Sequence, residues 1–165
     1  MSGERLVSGA DPFTRLEELG LRLPPVTAPL AAYLPAVRTG DHVYVSGQLP
    51  IVDGSLLAVG KGGAEVTPER AAELAAQCAL GAMAAVDDLV GRGSVVRVVK
   101  VVGFVASAPG FTGQPAVING ASELFGAIFG PAGRHARSAV GVAELPRGAP
   151  VEVEVIFEVS GPSNG

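Results

Sequence analysis

The stretch ARSAVGVAELPRGAPVEVEVIFEV sets one permanent cation, Arg137, ahead of a run of small apolar residues, with Glu152, Glu154 and Glu158 beyond the run. A guanidinium is a planar fork of five donors that takes a carboxylate bidentately, and a lysine cannot fix that plane. A carboxylate can orient or deprotonate a water, or pass on a proton. Together these types allow a ligand-binding role. The plainer reading is an arginine at a strand end, exposed and paired with a carboxylate, beside a solvated glutamate face. Spacing alone leaves both readings open. His135 shares the face of Arg137 if the strand begins that early, and is otherwise a loop histidine. The single cysteine, Cys78, falls on an apolar helical stripe and reads as a small core residue rather than a nucleophile.

The elements that position these residues are legible from periodicity. The final stretch reads as a hairpin with its turn in LPRGAP. Its first strand sets Ser138, Val140 and Val142 opposite Arg137, Ala139, Gly141 and Ala143. Its second sets Val151, Val153, Val155, Phe157 and Val159 opposite Glu152, Glu154, Ile156 and Glu158. A hairpin register that joins the valine faces on the core places Arg137 on the glutamate-bearing face, where small neighbours leave room for a ligand or another chain.

Upstream, Asp11 as cap and Pro12 at the first helical position predict a short helix with Phe13, Leu16 and Leu19 on one stripe, ended by Gly20 and Pro24-Pro25. The segment TAPLAAYLPAV is expected to run extended at a sheet edge. In DHVYVSGQLPIVDGSLL, His42, Tyr44 and Ser46 alternate with Val43 and Val45 before the turn signal VDGS, giving strand, loop and strand. Thr67 and Pro68 open a long helix with Leu74, Cys78, Ala82, Ala85 and Leu89 on one stripe, stopping at Gly91 or Gly93. The valine-rich run VVRVVKVVGFVAS predicts a central strand buried on both faces. A second long helix carries Ile118, Ala121, Phe125 and Ile128, with Asn119 in its first turn, and ends at Gly130-Pro131. The order β-β-β-α-β-α-β-β predicts an α+β fold, a mixed sheet with both long helices on one side. The other side then needs a cover.

Bulk composition narrows the function classes. At 165 residues the chain is the size of one domain and buries a core without metals or disulfides. With 48% hydrophobic and 17% charged residues it is not disordered, and no apolar run reaches membrane-spanning length. So few charges suggest a surface partly covered by further copies of the chain. The start MSGERLVSGADPF carries no secretory pattern, which makes a cytoplasmic location the expectation. One cysteine and two histidines give no zinc pattern, and a net charge of −4 disfavours nucleic acid as a partner.

Three blocks, YVSGQLP, VINGASELF and ARSAVGVAELPRGAPVEVE, resemble in order and approximate spacing the reactive intermediate deaminase family, also called the YjgF-type or endoribonuclease L-PSP family. The resemblance runs from about Tyr33 to Val159. It divides the single domain into an N-terminal helix and extended segment, 1–32, and a YjgF/Rid-like part, 33–165. It implies a chorismate-mutase-like fold assembled as a homotrimer with ligand clefts between subunits. It also implies hydrolysis of 2-imino or enamine acids to 2-oxo acids and ammonia, with no cofactor or metal. Arg137 matches the arginine that grips the substrate carboxylate, and Glu152 the glutamate assigned to the water. Tyr33, Ser46 and Asn119 match further cleft residues. On their own these three read equally as an edge aromatic, a strand-end serine and a helix-end polar residue. Ala139 stands in the cleft where many members carry a cysteine, so no thiol chemistry is implied there. A carboxylate-binding trimer without turnover is the alternative, and a ribonuclease a third.

Overall fold

The computed structural model describes residues 11–29, 32–91 and 93–162. The first ten residues, where no secretory signal is expected, and Leu30 and Ala31 of the extended segment lie outside them. A short helix, α1 (Pro12–Glu18), is capped by Asp11, whose carboxylate accepts the Thr14 N–H at 3.3 Å. Phe13 and Leu16 of α1 join the same buried cluster as the rest of the core. Two strands follow, β1 (Ala36–Thr39) and β2 (His42–Gln48), then a two-stranded ribbon of β3 (Ile51–Val52) and β4 (Ser55–Leu56). Asp53 and Gly54 turn that ribbon with φ of 50° and 80°, the two positive values that a two-residue hairpin loop of this twist requires.

The long helix α2 (Pro68–Val90) starts where Thr67 Oγ1 accepts the Arg70 N–H at 3.2 Å. Leu74, Cys78, Ala82 and Ala85 are buried as their spacing predicts, whereas Leu89 is on the solvent side of the last turn. Strand β5 (Val95–Ala106) leads to helix α3 (Gln114–Phe129), then β6 (Ala136–Val142) and β7 (Val151–Val159). Ile118, Ala121, Phe125 and Ile128 of α3 face the core. Among the described residues no helix is long and apolar enough to cross a membrane.

The main sheet runs β1-β2-β7-β5-β6, mixed, with α2 and α3 together on one face. Two expectations are corrected here. The central strand is β7, not β5, and β5 is not buried on both faces: Val98, Val101 and Val105 lie under the helices, but on the other side Lys100 is exposed and Val102 and Phe104 are only half-buried. The last two strands are also not a hairpin. β6 pairs in parallel with β5, and β5 pairs antiparallel with β7, so β5 separates them. The cause is the β5–α3–β6 unit: a strand, a crossover helix and a parallel strand place β6 at the outer edge of β5. The 3₁₀ turn at Pro146–Gly148 lies in the connection that then returns the chain to the inner edge of β5. The inner-edge position suits β7, since Val151, Val153, Val155, Phe157 and Val159 are all essentially buried. Each such side chain contributes about 1.5–3 kcal/mol relative to leaving it in water.

The face of the sheet away from the helices is uncovered in one chain. Val37, Tyr44, Lys100, Val102, Glu154 and Ile156 line a cavity of about 250 Å³ on it.

α2 and α3 approach closely through small residues. A methyl group added at Gly120 of α3 would overlap the backbone carbonyl of Ala72 in α2. Gly126, on the same helix, has open space around the corresponding position. Gly126→Ala should therefore stabilise the fold by up to ~1 kcal/mol through helix propensity. Gly120→Ala should lose that gain to overpacking and destabilise it by about 1–3 kcal/mol. Urea unfolding of the two variants reads the opposite signs; a stabilised Gly120→Ala protein would show that the helices do not depend on this approach.

Candidate functional site

Helix α3 and strand β6 build the first cluster. Arg137 is paired with Val101 of β5, which is paired with Val155 of β7, and both valines are buried beneath the helices. Laterally paired residues share a face, so Arg137 projects toward the helix-covered side at the sheet edge. There its Nη1 donates to Asn119 Oδ1 at 2.8 Å and to Ser122 Oγ at 3.2 Å. Asn119 and Ser122 are three residues apart on α3, the spacing that puts two side chains on one helix face. Asn119 is the sixth residue of α3, in its second turn, rather than in the first turn as expected. Ser122 Oγ in turn lies 2.9 Å from Nε2 of His135, whose Nδ1 lies 2.7 Å from the carbonyl oxygen of Gly133. His135 thus faces α3 beside Arg137.

Ala139, next along this face, packs half-buried against the core. The space expected above Gly141 is not free, because the side chains of Gln114 and Ser107 occupy it, joined by a 3.1 Å hydrogen bond. Room for a ligand at Arg137 is therefore confined to the Asn119 end of the strand.

The second cluster lies on the other face. Glu152 of β7 is paired with Phe104 of β5, which is paired with Val140 of β6, and this row points away from the helices. The expectation that Arg137 and Glu152 are neighbours on one face is thus overturned within a single chain. Glu152 is half-buried and reaches Gly47 of β2, where any side chain would collide with its carboxylate. The β2–β7 ladder shifts register between Val45 and Gln48, and this irregularity is what brings Gly47 against Glu152. Ser46, beside it, donates its hydroxyl to the Leu34 carbonyl at 2.6 Å, tying the segment that carries Tyr33 to the strand. Tyr33 is 51% exposed and lines a small cavity with Pro35, Ser46, Gly47 and Gln48. Tyr33, Ser46 and Glu152 therefore gather around Gly47, while Asn119, Ala139 and Arg137 gather on the opposite face.

The electrostatics of the clusters differ. Burial raises the Glu152 carboxyl above its ordinary range, and the like charge of Glu154 raises it further. Burial likewise pushes the Cys78 thiol well up, with the charge of Glu152 a smaller contribution, so this thiol is a core group. The ion pairs among the described residues, Arg15–Glu18, Lys61–Glu144 and Arg70–Glu73, include neither Arg137 nor Glu152. Ser122 and Gly47 were not singled out from the sequence. Ser122 had a signal, its position one helical turn beyond Asn119; Gly47 had only its place in the Ser-Gly-Gln segment.

Comparison with known proteins bears on the whole arrangement. The family pattern described as endoribonuclease L-PSP matches residues 25–159. Protein TCP17 of Trypanosoma cruzi is 44% identical over 147 residues, which cover 88% of this chain and 92% of that protein. A crystal structure of a protein of unknown function from Agrobacterium tumefaciens is 43% identical, with a TM-score of 0.83 over 91% of this chain and 94% of the other. RidA from an Antarctic Psychrobacter species is 29% identical, with a TM-score of 0.57 over 82% of this chain and 94% of RidA. With a match that spans most of its length and this fold, the chain belongs to the endoribonuclease L-PSP family, which includes the YjgF and RidA proteins.

Proposed function

We propose that this protein is a hydrolytic deaminase of reactive 2-imino or enamine acids, acting without a cofactor at sites shared between subunits of a homotrimer. The observation that carries the reading is the pairing of an unneutralised guanidinium on one face with an unpaired, elevated carboxyl on the other. The sheet separates Arg137 from Glu152, so they act on one substrate only if the helix-side edge of one subunit meets the Glu152 face of the next. Such a head-to-tail contact closes as a ring. The uncovered apolar face, with Val37, Tyr44 and Val140 each about half exposed, supports an assembly that buries it.

Arg137 binds the carboxylate of the substrate through two parallel hydrogen bonds and fixes the plane of its C2 carbon. An imine carbon is already electrophilic, so orientation toward water is the main contribution the protein must make. Glu152 takes a proton from that water as the water oxygen bonds to C2, and passes the proton to the nitrogen, which leaves as ammonia when the C2–N bond breaks and the 2-oxo group forms. Its raised pKa makes it a stronger base than an ordinary carboxylate. Tyr33, Ser46 and Asn119 orient substrate and neighbouring groups. A trimer that only binds 2-oxo acids would use Arg137 alike, so Glu152 is the residue that separates the two readings.

A pyridoxal-phosphate dehydratase generating 2-aminoacrylate or 2-aminocrotonate supplies the assay. The protein should speed 2-oxo acid release beyond the spontaneous rate, and Arg137→Lys should lose nearly as much activity as Arg137→Ala. No acceleration with any precursor removes the deaminase reading, and a fully active lysine variant removes the bidentate one.

Shared sites make a second, sharper expectation. Arg137→Ala and Glu152→Gln chains, each inactive alone, should regain about one quarter of wild-type activity when coexpressed at equal levels, because a random head-to-tail ring restores one site in four. Failure of the mixture to recover, with mixed trimers demonstrated by mass spectrometry, would place both residues of each site in one chain or outside the mechanism.

The pH dependence follows from the sign of the shift. The base must be ionised, so activity should fall as pH drops through a Glu152 pKa that lies above the ordinary carboxylate value. Glu154→Gln removes the smaller cause and should move this acid limb to lower pH. Burial remains, so the limb should stay above the ordinary value. A limb unmoved in the pH–kcat/KM profile would separate it from Glu152.

A further inference from the structure

Arg137 is held without being neutralised, and with a neutral imidazole the hydrogen-bond roles of its holders follow from their partners. The Gly133 carbonyl only accepts, so the proton in the 2.7 Å contact belongs to Nδ1 of His135. In the neutral ring Nε2 is then an acceptor, and the 2.9 Å contact is made by the Ser122 hydroxyl donating to it. The Phe125 ring, edge-on at 6.1 Å between centroids and 81° between planes, packs against the imidazole from the core side. With its one proton committed to His135, Ser122 Oγ presents only lone pairs to Arg137, at 3.2 Å from Nη1.

Nη1 carries two hydrogens, and two acceptors meet it, Ser122 Oγ and Asn119 Oδ1. The end-on fork between Nη1 and Nη2 is therefore closed to a ligand. The side-on fork of Nε–H and Nη2–H remains, and no contact among the described residues uses it. We propose that His135 and Ser122 are positioning residues that lock the Arg137 guanidinium so that it offers its Nε/Nη2 edge, and not its tip, to a carboxylate. This rests on the reading of Arg137 as carboxylate anchor. His135 acts through Ser122: it fixes the direction of one hydroxyl proton, and that proton fixes the lone pairs that hold the guanidinium. A three-atom carboxylate group bound on the side-on fork lies in the guanidinium plane, so the lock also fixes the direction from which C2 enters the site.

Two measurements on the full-length protein test this. In 15N spectra the Arg137 side chain, identified by its loss in Arg137→Lys, should show separate Nη signals because rotation about Nε–Cζ is hindered. Ser122→Ala and His135→Ala should both merge them. In calorimetry with pyruvate as the probe, Ser122→Ala should bind about tenfold more weakly, the loss of one hydrogen bond to a charged group. Ser122→Thr, which keeps the hydroxyl, and His135→Gln, whose amide oxygen can stand where Nε2 stands, should recover most of that loss. The double Ser122→Ala/His135→Ala protein should be no worse than Ser122→Ala alone, since the histidine works through the serine. Unchanged Nη signals in both single variants would overturn the proposal, as would additive losses or a lack of rescue. Wild type that binds no pyruvate would instead remove the carboxylate-anchor reading, and the spectra alone would then decide whether the lock exists.

Discussion

Side chains on a strand alternate between two faces, and here only one face is covered by helices. Almost everything distinctive about the molecule follows from where that alternation puts two charges. Arg137 falls in register with Val101 and Val155, and Glu152 with Phe104 and Val140. A shift of one residue in the β5–β6 pairing would exchange the faces of β6, setting Arg137 beside the glutamates and Val140 under the helices. On the same helix-facing side, Gly103 of β5 is hollowed beneath Ile118 of α3, and any side chain there would strike that isoleucine. The helix that carries Asn119 and Ser122 is thus seated on the sheet by a close apolar contact.

The same packing supplies the partners of Arg137. Asn119 and Ser122 of α3 reach it, and the same helix meets α2 at Gly120 and Ala72 with no side chain between them. The alanine-rich α2 serves this close approach. One stripe of α3, Ile118, Ala121 and Phe125, holds the core, and the adjacent stripe holds the guanidinium.

Local features were legible in the sequence and non-local ones were not. The caps at Asp11 and Thr67, the Asp53-Gly54 turn and the stripes of α2 and α3 come from interactions between near neighbours in the chain, and the placement of both helices on one face follows from those apolar stripes needing one shared sheet surface. The pairing of β6 with β5 depends on a crossover of some thirty residues, which a short Leu-Pro turn signal outweighed when the last strands were read as a hairpin. Arg137, Asn119, Tyr33, Ser46 and Glu152 were nameable through family resemblance, but their division between two faces required the strand order. The Ser122–His135 link joins a helix to a loop and leaves no periodic trace beyond its one-turn spacing from Asn119.

The division has a physical advantage of its own. An arginine facing a glutamate in the same chain would form an ion pair, and a substrate carboxylate would then have to displace it at the cost of leaving a charge unpaired. Asn119 and Ser122 are neutral acceptors, so they direct the guanidinium without cancelling its charge. Glu152 meanwhile sits where burial and Glu154 disfavour its charge, and any cation that closed on it would lower its pKa and weaken it as a base. A sheet placed between the two groups keeps Arg137 and Glu152 of one chain from neutralising each other, which is the state the proposed hydrolysis would need. In the proposed deamination the substrate would be an anion at one end and lose ammonia at the other, so it would lie between a free cation and a free base without forcing either to neutralise the other.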